Sequence, residues 1–144
     1  MSEDISQVRV VELVKEALEG NATHIDELRR VSHEQLHLAG QALGSQLSFG
    51  RPTALRVLKD WRDGRLVDEQ VRWWALLMFI GAFPDEWSPK GWKVHFSAQP
   101  IDFDYSDDED VNEVVFQLIE LGAIDDGGAI KDRVNAMIRR LDLD

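Results

Sequence analysis

Two histidines and a glutamate stand together at His33-Glu34-Gln35-Leu36-His37, with Gly40 three residues further on. On a helix, positions four apart lie one above the other, so both imidazoles could ligate a single zinc ion while Glu34 acts as general base on the metal-bound water. Cysteine is absent from the chain, which removes disulfides, thiolate metal ligands and a thiol nucleophile. No Ser-His-Asp arrangement or nucleotide motif accompanies the histidines, and Gly127-Gly128 ahead of a helix is too little for a phosphate site.

The string over 33–40, HExxHxxG, resembles the start of the metzincin signature. That resemblance implies a zinc metallohydrolase with His33 and His37 as ligands and Glu34 as base. The sequence departs from the pattern at Leu43, where a third His or Asp ligand belongs, and the residues upstream encode an amphipathic helix and a turn where the family has a sheet. On a single helix through this region, Ile25, Leu28, Leu36, Ala39 and Leu43 cluster on one side, and His33 and His37 fall opposite them with Arg30, Glu34 and Gln41. The histidines are therefore expected to face solvent, and no catalytic residue, metal or cofactor is assigned. The metallohydrolase is kept as the alternative reading.

A second chemistry-bearing stretch is acidic. Of the 27 acids, ten fall within 101–128 with no Lys or Arg, leaving 17 against the 16 bases elsewhere, so nearly the whole net charge of −11 sits in one segment. Asp104, Ser106, Asp108 and Asp110 alternate like calcium-loop ligands, but an EF-hand begun at Asp104 needs glycine at Glu109 and glutamate at Val115. Acids at 107–110 suit the first turn of a helix through its dipole. Asp102 and Asp104 precede that helix and are not explained by it. Such a field repels nucleic acid and lipid head groups and steers toward basic proteins. Trp87 and Trp92, in a proline-containing stretch beside the acids, have the amphipathic character of interface anchors. The candidate partner-binding set is Trp87, Trp92, Asp102, Asp104, Tyr105, Asp107, Asp108, Asp110 and Glu113.

Apolar spacing predicts the elements that must hold these residues. Helices are expected over 5–18, over 25–43 with Thr23 as N-cap, from Pro52 to Asp63-Gly64, from an N-cap at Asp68 through Phe83, from a capping box at Ser106 and Glu109 to Leu121, and over 129–141. Residues 71–83 are apolar around the whole circumference with only Arg72 charged, the mark of a helix central in the core or covered by another protein. Period-two alternation at Trp92, Val94 and Phe96 and at Ile101, Phe103 and Tyr105 suggests strands. The expected fold is mainly α: a single domain over 1–144, a bundle of about six helices around the central helix 71–83, with a short β-hairpin or extended insertion near 91–105.

The first residues show neither a basic nor an apolar signal region, and the apolar run 73–83 is too short to cross a hydrocarbon layer of about 30 Å, so a cytoplasmic location is expected. Arg51, Arg56, Lys59, Arg62, Arg65 and Arg72 make the 52–84 hairpin locally basic, but 71–83 lacks the polar side chains that a DNA-reading helix presents to base edges. The expectation is a small acidic, non-catalytic protein-binding module, in concrete form an immunity or antitoxin-type inhibitor of a basic toxin or nuclease. Neither nucleic acid nor membrane is an expected partner. A structural or self-associating helical protein is the second alternative.

Overall fold

Side-chain oxygens open several of the helices. Ser6 accepts from the Arg9 N–H at 3.2 Å ahead of α1 (Gln7–Leu18), and Ser32 accepts from the Gln35 N–H at 3.2 Å ahead of α3 (His33–Leu43). Each satisfies one of the amide donors that a helix start leaves without an intrahelical partner. Pro52 occupies the first turn of α4 (Arg51–Arg62), where its missing N–H costs nothing. The computed structural model describes residues 6–81, 86–88, 91–93, 101, 103, 108–119 and 127–142. Among them the chain is mainly helical, completed by α2 (Ile25–Leu28), α5 (Asp68–Ile80), α6 (Glu109–Ile119) and α7 (Gly127–Asp142). No helix of the described residues is long and apolar enough to cross a membrane.

The expected helix over 25–43 is two helices. The chain leaves α2 through the tight turns Arg30 N–H to Glu27 C=O and Val31 N–H to Leu28 C=O, and Ser32 then starts α3 afresh. Ser32-His33-Glu34-Gln35 is itself a capping-box string, so the break was written in the sequence. Asp68 likewise is not a cap. The N-cap of α5 is Val67, whose N–H donates to Gln70 Oε1 at 2.9 Å, while Asp68 accepts from Trp61 Nε1 at 2.7 Å and ties α5 to α4.

Helix α5 contributes more buried residues than any other of the described helices. Val71 and every residue from Trp73 to Met78 are buried, with Trp74 at 0% exposure. It packs against α6, α4 and α2, while α1 lies on α3 and α4 on α7. The C-terminal carbonyls of α1 find donors across the fold: Trp74 Nε1 reaches Ala17 O at 2.9 Å, Thr53 Oγ1 reaches Leu18 O at 2.9 Å, and Arg56 reaches Glu19 O at 3.3 Å.

Helix α5 stops at Ile80 because Gly81 takes φ +85°, a left-handed cap that glycine adopts readily. The expected extension to Phe83 lies outside the described residues. Ile101 then crosses this corner: its N–H donates to Gly81 O at 2.9 Å, and its side chain packs where Gly40 of α3 has no Cβ. Ile101 and Phe103 are both buried, so their alternation does mark an inward face. The strand pair among the described residues begins upstream of the expected 91–105, with β1 (Glu86–Ser88) antiparallel to β2 (Gly91–Lys93), and only β2 falls inside that range. Val94, Phe96 and Tyr105 fall outside the described residues.

Candidate interaction surface

The start of α6 is where the acidic segment meets the rest of the protein. Asp108 Oδ1 accepts from the Asp110 N–H at 3.0 Å and from the Val111 N–H at 3.4 Å, so Asp108 serves as the helix cap that had been expected at Ser106. Ser106 itself lies outside the described residues. Arg51 reaches over from α4, its Nε donating to Asp108 Oδ2 at 2.6 Å and its Nη2 to Asp110 Oδ2 at 2.9 Å. Its Nη1 donates to Leu141 O at 3.4 Å, which brings the end of α7 to the same point. Arg140 on α7 completes the network, with 2.7 Å to Asp110 Oδ1 and 2.8 Å to Glu113 Oε2.

The hydrogen bond from Arg51, aided by the two backbone donors and opposed by partial desolvation, holds the Asp108 carboxyl below the usual carboxylate range. Asp110 first and Glu113 second raise the already high affinity of the Arg140 guanidinium for its proton. Bases that are absent from 101–128 in sequence thus arrive from positions 51 and 140 in space.

Of the predicted partner-binding residues, the structure brings Asp108, Asp110 and Glu113 together. Trp87 and Trp92 stand opposite each other in the strand register, away from them in sequence. Asp102, Asp104, Tyr105 and Asp107 lie outside the described residues. Sequence reasoning missed the two cations and also missed an aromatic pair. Phe79 at the end of α5 and Phe116 on α6 remain 55% and 50% exposed, and their rings meet edge to face with centroids 6.2 Å apart. The whole-circumference hydrophobicity of 71–83 concealed Phe79, because nothing in the pattern separates a buried from an emerging position. Phe116 was detectable: it falls outside the Val111, Val114, Val115 and Leu118 stripe.

The basic residues of the 52–84 hairpin are largely taken up by intramolecular contacts. Besides Arg51 and Arg56, Arg62 pairs with Asp63 at 3.1 Å and Arg65 with Asp60 at 3.1 Å. On α3, Glu34 is exposed, His37 is half-buried, and the His33 side chain is outside the described residues. Leu43, at the third-ligand position of the metzincin pattern, is a core residue. Among the described residues no group of three His, Cys, Asp or Glu is placed to hold a metal ion. No known protein family, curated protein or solved structure matches the chain.

Proposed function

We propose that this chain is a non-catalytic protein-binding module that engages a basic partner protein through the acidic region running from Asp102 to Glu113, with Trp87 and Trp92 as neighbouring anchors. The observation that carries the reading is the charge balance of that region. The described ion pairs bring two guanidiniums, Arg51 and Arg140, to a region with seven acids. Clustered like charges repel and destabilise a folded chain, so their retention is understandable where the field speeds encounter with an oppositely charged surface. In its concrete form the module is an inhibitor of immunity or antitoxin type, covering the basic active site of a nuclease-like protein.

The test compares affinity capture from a native extract by the wild-type chain and by the Asp102→Lys, Asp104→Lys variant at low and high salt. A basic protein retained by the wild type at low salt, released by salt and lost in the variant supports the reading. Equal capture by both chains removes the acidic region from it.

A further inference from the structure

We infer that Phe79 and Phe116 form, with Glu109 and Glu113, the docking ridge for a basic amphipathic helix of a partner protein. This rests on the binding-module reading above and adds the residues and the shape of the partner to it.

Residues 109, 113 and 116 are spaced by four and three, so they share one stripe of α6. Glu109 and Phe116 are exposed, and Glu113 keeps 49% of its side chain in solvent although Arg140 holds one oxygen. Glu109 has no ion-pair partner among the described residues. Phe79 comes up beside Phe116 from α5, which makes the apolar end of the stripe two rings wide. Half-exposed, the two rings together offer roughly 200 Å² of aromatic surface, judged from the area an aromatic side chain buries when covered. Single exposed apolar residues are ordinary, but two aromatics in mutual contact, with the half-exposed Glu113 one turn away on the same stripe, have the make-up of an interface centre.

The layout specifies the occupant. Glu109 and Phe116 are seven positions apart on α6, about 10 Å at 1.5 Å per residue, so acid lies at one end of the ridge and ring surface at the other. A helix laid along it would meet the rings with aliphatic side chains at positions i and i+4 and reach the carboxylates with Lys or Arg about two turns away. The partner charge is fixed by complementarity with Glu109, Glu113 and the acids that precede them in the sequence.

The probe is a synthetic helical peptide with leucines on one face and lysines two turns away, set against a control with serine in place of leucine. Amide shift mapping on the intact wild-type chain locates the contact, and titration compares it with the Phe79→Ser, Phe116→Ser variant, whose helicity is checked first. The expected result is shift changes at the end of α5 and along α6, with the double substitution weakening the leucine peptide more than about tenfold, down to the level of the control. The proposal is overturned if the variant binds the leucine peptide as the wild type does, or if the shift changes fall away from these helices. If binding persists in that variant but disappears in the Asp102→Lys, Asp104→Lys chain, the acidic-region reading stands without the ridge. If neither peptide binds at low salt, both readings fall. A wild-type dimer that becomes monomeric on Phe79→Ser, Phe116→Ser assigns the ridge to a second copy of this chain instead, and also overturns the proposal.

Discussion

Arg51 and Asp108, separated by 57 positions in the chain, meet with Nε and Oδ2 at 2.6 Å, and the same carboxylate caps α6. One side chain therefore couples α4 to the N-terminus of α6, while Arg51 also reaches the last turn of α7. This junction supports the helix that presents the proposed ridge.

Replacing Asp108 separates the two roles. Asp108→Ala removes cap and charge, and a lost N-cap alone costs about 0.5–2 kcal/mol. Asp108→Asn keeps a capping oxygen and removes the charge. Because the folded carboxyl titrates below its ordinary value of about 3.9, its contribution is fully present above that pH and is lost as pH falls through the lower folded value. Urea unfolding at neutral pH should find Asp108→Asn less stable than the wild type, and the gap should close below about pH 4. A gap that stays constant on acidification would refute the charge coupling.

Trp74 joins the central helix to the end of α1 through the hydrogen bond to Ala17, and its ring meets Phe49 edge on with centroids 5.9 Å apart. Trp74→Phe keeps most of the packing and loses the donor, so a loss of about 1–3 kcal/mol is expected, against about 3–5 kcal/mol for Trp74→Ala. Both should appear as lower urea midpoints with little change in slope. A wild-type midpoint for Trp74→Phe would mean the bond to Ala17 contributes nothing net.

Gly81 and Gly64 provide a matched pair, with φ +85° and +82°. At Gly64 an added Cβ has nothing within 4 Å, whereas at Gly81 it would run into the carbonyl oxygen of Ile101. Gly64→Ala should show only the left-handed penalty of about 1–2 kcal/mol. Gly81→Ala should lose clearly more, because Ile101 must shift. Equal thermal shifts in the two variants would show that Ile101 moves aside at no cost.

The zinc alternative has its own measurement. With Leu43 in the core and Glu34 exposed at the start of α3, the expectation is less than one zinc per chain after dialysis against the metal. Stoichiometric zinc that disappears in His37→Ala would restore the metallohydrolase reading.

Local spacing made most of the helices legible, since the period of apolar residues and the residues that begin and end a helix act within a few positions of the chain. Val111, Val114, Val115 and Leu118 of α6 sit in the core as that periodicity requires. In α1 the spacing of Val8, Val11, Val14 and Leu18 points instead to a rotated face: Val8 is 71% exposed and Val11 half-buried, and Val10, Leu13 and Ala17 join Val14 and Leu18 inside. The break at Ser32 was equally local, because a serine at that position can cap a new helix. The shift of strand pairing to Glu86–Lys93 had weaker support, because Trp87 and Trp92 are flanked by prolines that read as loop.

By itself the sequence determined the mainly helical class, the burial of most of α5 and the concentration of acid in one segment, because hydrophobic period and charge are properties of neighbouring residues. Only the tertiary structure decided which charges meet and which aromatics stay outside. Coulomb energy and solvent exposure depend on distance in space, and Arg51, Arg140 and the acids of α6 become neighbours only when α4, α6 and α7 converge. Phe79 lies on the helix with the most buried residues among those described, and its exposure is a matter of what packs beside it in space.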